Sequence, residues 1–505
     1  MKRMKILAIS AAAVFCASFA TAQDMDFGDD FGSDFGSDFG DSSASSSFSA
    51  GSFSVNGEAQ INFRVYVDDK DTIGLPIDEW NTWVDPKGKI GLNYSNDTVS
   101  ADVKFALSKD IITDYKSDII DELTLEATFG NFVVQAGKMK VVWGKGDKLH
   151  VLDNFNANDY KDFLIPDYID RRISEPMVRV LYNAPNDVGP FTSNRFELVW
   201  TPFITADRYA ASGRWVPNQV NDLKESLSEK AVEIIAAQGV KAGAQNTQQE
   251  ALYAAMLSRS SSLADNLYPD LYQLKYMQAG ARFTTTTGSW DWGVSYYFGR
   301  DKRASFDYKN MENYVGKYLN GNAGEDDKFI DYDFLQVFGV EAAKTFGAYN
   351  FRAEAAYNLT QDVAGDNPRI HNNSVAWVFG FDRDLPISEL NFNLQTQGKY
   401  IINHDEIDDS RNSLDTESST YETDNKLVLN ISDNLLHGKL KPEISAIYGF
   451  EHFDLIIMPK ITWYVSDGLE FSANGMYMQS FIKNRSEFGD WHNNSFVQIS
   501  AKYTF

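Results

Sequence analysis

From residue 54 to the C-terminus, apolar and polar positions alternate with a period of two. Val55, Gly57, Ala59, Ile61, Phe63, Val65 and Val67 interleave with Asn56, Glu58, Gln60, Asn62, Arg64 and Tyr66. Successive side chains of an extended chain point to opposite faces, so this run predicts a strand with one apolar and one polar face. It is about 14 residues long. A soluble strand usually has about five or six residues, whereas a strand tilted across a bilayer needs about 9–11. The alternation recurs in Trp290, Trp292, Val294, Tyr296 and Phe298, in Leu390, Phe392 and Leu394, and in Leu469, Phe471, Ala473, Gly475 and Tyr477. It closes the chain in Val497, Ile499, Ala501, Tyr503 and Phe505.

Such runs predict strands near 54–67, 87–95, 98–107, 121–129, 132–142, 176–183, 194–203, 274–286 and 289–299. Further ones fall near 331–345, 348–361, 372–382, 388–401, 424–432, 438–449, 454–465, 468–482 and 494–505. That is about eighteen strands, with sixteen as the alternative count. Short connections at Asn96-Asp97, Gly130-Asn131, Thr287-Gly288, Gly347, Pro386, Asp433 and Asp467-Gly468, with a medium one at 184–193, alternate with long ones such as 68–86, 143–175, 204–273, 300–330 and 402–423. Short turns at one end and long loops at the other predict an all-β, antiparallel, up-and-down transmembrane barrel. An even strand count puts both chain ends on the short-turn side.

Composition narrows the function classes. The 505 residues include 25 Tyr, 10 Trp and 35 Phe, with a single Cys and a net charge of −25. One Cys excludes a disulfide scaffold and any Cys-based metal site. The acidic balance argues against a nucleic-acid partner. Residues 1–22 read as a secretory signal peptide, with basic Lys2, Arg3 and Lys5, an apolar stretch from Ile6 to Phe19, and small Ala20-Thr21-Ala22 before Gln23. Removing it takes away three of the 46 basic residues, leaving 43 against 71 acidic ones, a net of −28, and it removes Cys16. Elsewhere no segment approaches the roughly 18 apolar residues of a membrane helix. Residues 23–53 form a tail in which Asp-Phe-Gly recurs, with Phe27, Phe31, Phe35 and Phe39 spaced by four, before a Ser-rich run. Glycine at the same spacing, about 1 kcal/mol unfavourable per residue in a helix, makes this a disordered acidic segment.

The chain ends in Tyr503-Thr504-Phe505 on an amphipathic strand. That ending resembles the C-terminal signal by which outer-membrane barrels are recognised for assembly, which implies the barrel-assembly machinery and outer-membrane lipid as partners. A barrel of 16–18 strands is too wide for side chains to fill. Its predicted lumen lining includes Glu58, Gln60, Arg64, Asp102, Lys104, Glu122, Glu126, Arg352, Glu354, Asn393, Gln395, Lys460, Glu470 and Lys502. Charges of both signs suit a wet lumen and polar solutes rather than fatty cargo. A sharper reading is a ladder of opposite charges that aligns one solute.

The long connection after the fifth strand carries the most specific pattern: Gly137-Lys138-Met139-Lys140-Val141-Val142-Trp143-Gly144-Lys145-Gly146-Asp147, then Asp153, Asn156, Asp159, Asp167, Asp170, Arg171, Arg172 and Pro176. This resembles a largely uncharacterised Gram-negative outer-membrane porin-like family. That family has a Gly-Arg-Gln strand, a Trp-Gly pair, a downstream Asp, an Asn-Pro-x-Asp turn, and an Arg and a Pro before the next strand. Here Trp143-Gly144 is intact. Lys138 and Met139 replace Arg and Gln, and the turn reads Asn156-Ala157-Asn158-Asp159. The match covers about 40 residues. It implies a pore-like envelope protein and no defined substrate. Asp and Asn stabilise tight turns, and rings of carboxylates or arginines set the charge preference of a pore. The segment therefore predicts an infolded constriction, with Arg171 and Arg172 facing Asp147, Asp153 or Asp159 and with Arg179 pointing inward from the next strand. A structural reading, in which these Asp residues only tie the loop together, stands beside it.

Within 204–273, Val220, Leu223, Leu227, Ala231, Ile234 and Ile235 form a helical stripe between Pro217 and Gly239, and a second helix is expected from about Gln248 to Leu263. This insert is either a plug or an external decoration. The histidines His150, His371, His404, His437, His452 and His492 lack ligand spacing, so no metal or other cofactor is expected. The run Asp405, Glu406, Asp408, Asp409, Asp415 and Glu417 reads as a solvated acidic loop rather than a Ca²⁺ site. No nucleophile elbow or phosphate loop suggests an enzyme. The expected function is an outer-membrane channel for passive diffusion of polar or charged small solutes. The alternatives are a surface adhesin or structural barrel with a blocked lumen, and a barrel carrying polysaccharide or lipid.

Overall fold

The computed structural model describes residues 51–67, 82–147, 149–239, 247–407, 416–417, 421–482 and 486–505. The expected signal peptide, nearly all of the Asp-Phe-Gly tail, the start of the first long loop and Asp408, Asp409 and Asp415 lie outside these residues.

Eighteen antiparallel strands form one sheet in which each strand pairs with its chain neighbours. The first, Ser52–Tyr66, pairs with Thr82–Ser95 on one side and with the last, Phe496–Thr504, on the other, so the sheet closes. Beyond the last strand the seam is extended by Phe505, whose N–H donates to the Gly57 carbonyl at 2.9 Å while Gly57 N–H donates to the Phe505 carbonyl at 3.0 Å. Closure removes the unpaired edges that an open sheet could not present to lipid. This is the transmembrane barrel that the period of two predicts, with eighteen strands rather than sixteen.

Strand boundaries differ from the expected ones where a local signal misleads. The second strand starts at Thr82, ahead of Asp85-Pro86, which reads as a break. Pro86 pairs with Ile61 on one side, but the ladder with the following strand begins only at Lys87↔Ser108, so the missing N–H interrupts nothing there. The fifth strand, Phe132–Met139, ends before Lys140, although the apolar pattern runs to 142. Asn156 takes over its hydrogen bonds: Oδ1 accepts from Val141 N–H at 2.8 Å, and Nδ2 donates to the Met139 and Ile173 carbonyls at 3.0 and 2.9 Å.

The outer face is apolar. Phe196, Leu198 and Trp200 alternate outward from one strand and stay exposed. Exposed aromatics gather at the short-turn end: Phe129 and Phe132 flank the Gly130-Asn131 turn, Trp290 follows Gly288, Phe346 precedes Gly347, and Tyr503 and Phe505 close the chain. Such a girdle anchors a barrel at the membrane–water boundary.

The long-loop end carries helices. Helices Asn218–Ala237 and Thr247–Ser261 lie in the insert anticipated from the sequence, and Val220, Leu223, Leu227 and Ala231 are buried on the stripe side. They pack with a third helix, Tyr308–Leu319, where a plain loop was expected. Its signal is present: Asp307 caps the N-terminus by accepting from Lys309 and Asn310 N–H, and Met311, Tyr314, Val315 and Leu319 are spaced for one buried face. The three helices, the second through Met256, share a core with Ile204, Phe306, Phe329 and Tyr332.

Candidate functional site

The connection between Phe132–Met139 and Glu175–Asn183 turns into the barrel and packs against two stretches of its inner wall. On one side Trp143, Leu152 and Phe155 join Met177, Val199, Tyr297, Leu335 and Val337. Phe155 stands edge-on to Trp143 and to Tyr297, with ring centroids 5.0 and 5.2 Å apart. Two inward-facing glycines make room. A Cβ on Gly280 would lie 2.7 Å from the Trp143 ring and 2.8 Å from Phe155, and one on Gly339 would lie 2.5 Å from Leu152. On the other side Leu149, Tyr160, Phe163 and Leu164 meet Val428, Ile447, Ile456, Met476 and Phe496. Phe163 stacks on Trp215 at 5.0 Å and is flanked by Phe488 and Trp491. Part of the wet lumen expected from the sequence is therefore an apolar seat for this segment.

Polar contacts fix the segment at several points around the wall. Glu354 is fully buried and receives Gly146 N–H at 2.5 Å, Val151 N–H at 2.8 Å and the His150 ring nitrogen Nδ1 at 3.1 Å. Arg64 forks onto both carboxylate oxygens of Asp162, at 2.6 and 2.9 Å, and donates to Gln498 at 2.9 Å. Its guanidinium is sandwiched 4.4 Å from the Trp83 and Phe496 rings. A planar bidentate fork of this kind fixes direction as well as distance. Lys89 reaches Asp170 at 2.6 Å, and Asn393 donates to Asp147. Within the segment Arg172 pairs with Asp153 at 2.7 Å, and Tyr168 also donates to Asp153.

The expected constriction residues thus divide among several places. Arg172 does face Asp153. Asp147 lies at the wall on Asn393. Asn156 ties the entry and exit of the segment together. Asp159 pairs with Lys161 at 3.3 Å and lies 3.9 Å from Arg208. Arg171 is completely buried at the end of a single helical turn. The expected Asn156–Asp159 turn is instead a short strand, Ala157–Tyr160, antiparallel to Arg172–Ile173 and parallel to Arg208–Tyr209. Asp207, in the loop before Arg208, accepts Asn158 N–H at 2.7 Å and completes that small sheet.

Arg179 belongs to a set of alternating charges along one stretch of the wall. It donates to Glu197 at 2.7 Å, Arg282 lies 3.7 Å from Glu197 and 2.6 Å from Glu341, and Arg352 pairs with Asp382 at 2.5 Å. Trp143 Nε1–H also donates to Glu197, at 3.0 Å, joining the segment to this set. Glu197, Arg282 and Glu341 were missed from the sequence; Glu197 and Arg282 sit at the polar parity of alternating strands, whereas Glu341 shares its face with Leu335, Val337 and Gly339. On the neighbouring wall Glu58 and Asp102 point inward, Glu126 accepts from Gln135 at 2.7 Å, and Lys104 lies 3.2 Å from Glu122. Lys104 keeps 52% of its side chain accessible although it faces the interior.

One cluster among the described residues has ligand spacing for a cation: Asp424, His452 and Glu487. The buried Lys426 ammonium already occupies it, 2.8 Å from Glu487 and 3.3 Å from Asp424. Burial pushes Glu487 up to about 7 against the pull of Lys426. Burial works to lower His452, but the hydrogen bond to Asp424 and the charge of Glu487 raise it to about 9. Lys426 and His452 therefore both face the Asp424 and Glu487 carboxylates. Lys426→Met leaves those two carboxylates with His452 as their one remaining cationic partner in the cluster and should cost about 3 kcal/mol. A lowered urea midpoint for the barrel in lipid vesicles would show it; an unchanged midpoint would refute it.

No family model matches the chain, and no curated protein matches it. Solved structures similar to it include a double mutant of the Rhodobacter blastica porin and a loop-deletion mutant of OmpT, an outer membrane protein of Vibrio cholerae. Each is 10% identical, with a TM-score of 0.36, over 90% of this chain and 100% of the other. The likeness is one of outline only.

Proposed function

We propose that the protein is an outer-membrane channel for passive diffusion of small polar or charged solutes, with residues 140–174 as its constriction. One observation carries this reading: Lys104, pointing inward beside Asp102, Glu122 and Glu126, keeps 52% of its side chain accessible, while the infolded segment packs against other stretches of the wall. A charged side chain inside a barrel is tolerated only where it is paired or wetted, so a half-accessible Lys104 marks a water-filled lane. A carrier of charged polymer calls for lumen charge of one sign, and the alternating Arg179–Glu197–Arg282–Glu341 set does not provide it.

The lane sets the expected selectivity. Arg171 and Arg172 are buried and Arg172 is paired, so they do not reach the lane. Asp102, Glu122 and Glu126 outnumber Lys104 there. In a planar bilayer the mature protein should show small, ohmic conductance with a reversal potential of cationic sign. Zero conductance from folded, heat-modifiable protein would sink the channel reading, and an anionic reversal potential would sink the assignment of the lane.

A further inference from the structure

Between the infolded segment and the wall strands Trp290–Arg300, Phe334–Phe346, Tyr349–Leu359, Ser374–Asp384 and Asn391–Ile401 lies a cavity of about 110 Å³. In a chain of net charge −25 its lining is unusual. Arg172, Arg300, Lys302, Arg303 and Lys399 line it, against three carboxylates, Asp153, Asp207 and Asp301. Two of those carboxylates are committed: Asp153 to Arg172 at 2.7 Å, and Asp301 to Arg303 at 2.6 Å. Lys302 is held from below by Glu175 at 3.2 Å. The third carboxylate, Asp207, is raised to about 6, because burial outweighs the hydrogen bond from Asn158. Arg300 donates to the backbone carbonyls of Tyr332 and Lys275 at 2.8 and 3.1 Å.

Lys399 stands apart. It is buried at the rim of the strand Asn391–Ile401, and among the described residues its ammonium makes no hydrogen bond and one long ion pair, 3.9 Å to Glu417. Several other lining groups also have buried polar atoms without partners among the described residues: Arg303 Nη1, His371 Nε2, Asn372 Oδ1 and Gln397 Oε1. His371 Nδ1 is engaged by Asp333 at 2.7 Å, which leaves Nε2 as an acceptor while the ring is neutral. Burying a cation or an acceptor without a partner is costly. Cationic donors and neutral acceptors gathered around one small space fit a ligand that carries both an anion and a hydroxyl. A cavity of about 150 Å³ accepts benzene, with its six carbons, so this one, at about 110 Å³, takes a ligand of at most about six non-hydrogen atoms.

We propose that this cavity binds a short-chain hydroxycarboxylate, with the carboxylate on Lys399 and Arg303 and the hydroxyl donating to Gln397, Asn372 or His371. The proposal rests on the channel reading for the claim that this is a transported solute, but not for the binding itself. The test is calorimetric titration of the full mature protein, folded in detergent, with lactate, propionate, 1,2-propanediol and inorganic phosphate in turn. Lactate should bind one site. Propionate, lacking the hydroxyl, and propanediol, lacking the charge, should each bind at least about tenfold more weakly. Lys399→Met should weaken lactate about tenfold or more, and Gln397→Leu should weaken lactate while leaving propionate unchanged. Heat-modifiable mobility reports whether each variant is folded; if Lys399→Met fails, Arg303→Gln carries the same expectation.

Lactate binding no tighter than propanediol, or unchanged by Lys399→Met, overturns the proposal. Phosphate bound as tightly as lactate overturns the hydroxycarboxylate assignment in favour of a plain oxyanion site. Binding by a protein that does not conduct would fail the channel reading alone, whereas conduction without binding would fail this proposal alone.

Discussion

Replacing residues 140–174 by a short Gly-Ser turn should raise single-channel conductance several-fold, because the lumen of an 18-stranded barrel is wide once nothing crosses it. The geometry permits the replacement. Met139 and Glu175 are paired across neighbouring strands, so a hairpin turn closes the gap without moving the wall. What is lost lies inside: the apolar contacts to Val199 and Tyr297 on one side, those to Val428 and Ile447 on the other, and the charge pairs to Arg64 and Lys89. Freed of Asp162, Arg64 would line the pore as a cation, while Lys89 keeps Glu58 at 3.3 Å and Glu354 is released as an anion, so the readout is conductance rather than the sign of the reversal potential. Replacing the helical insert 210–265 is the matched control. If the excised channel conducts like the parent while the control opens it, the helical insert is the barrier and the infolded segment is only a strut.

The wall of this protein is written locally, and its interior is not. A strand that faces lipid on one side and the lumen on the other must alternate, so Ile61 and Phe63 against Asn62 and Arg64 announce both faces without knowledge of any partner. The same parity would have found Glu197 and Arg282; Glu341, on a face with Leu335 and Val337, carries no such signal. The segment 140–174 has no such period, and only the resemblance carried by Trp143-Gly144 and the Asn156–Asp159 region marked it. Its contacts are long-range. Arg64 meets Asp162 across 98 positions, and Gly146 meets Glu354 across 208. Nothing near Asp162 in sequence says that its partner is on the first strand. The Asn156-Ala157-Asn158-Asp159 stretch reads as a turn by composition, yet Arg172–Ile173 and Arg208–Tyr209 flank it and make it a strand. The helix Tyr308–Leu319 was legible, with a capping Asp307 and a regular apolar face, inside a connection that had been read by its length alone.

Glu354 is where that long-range organisation is most exposed to a single change. Its carboxylate is fully buried and accepts from two backbone N–H groups, those of Gly146 and Val151, and from His150. Gly144 and Gly146 let the chain come this close: a Cβ at either would lie within 2.1 and 2.9 Å, respectively, of a Glu354 oxygen. Glu354→Ala leaves the two amides without their acceptor and His150 without its carboxylate. At about 1–3 kcal/mol for each buried unsatisfied group, the loss is on the order of 3–5 kcal/mol. The closed sheet does not depend on this contact, so the loss should appear as local release of the segment, raising its open population by about a hundredfold or more. Two readouts follow: trypsin cleavage after Lys145 that the parent resists, and open-channel current that flickers between two levels. Glu354→Gln retains one acceptor oxygen and should fall between the parent and the alanine variant. If Glu354→Ala instead lowers the urea midpoint of the whole barrel while cleavage at Lys145 is unchanged, the segment and wall unfold as one unit, and the constriction is a fixed part of the fold.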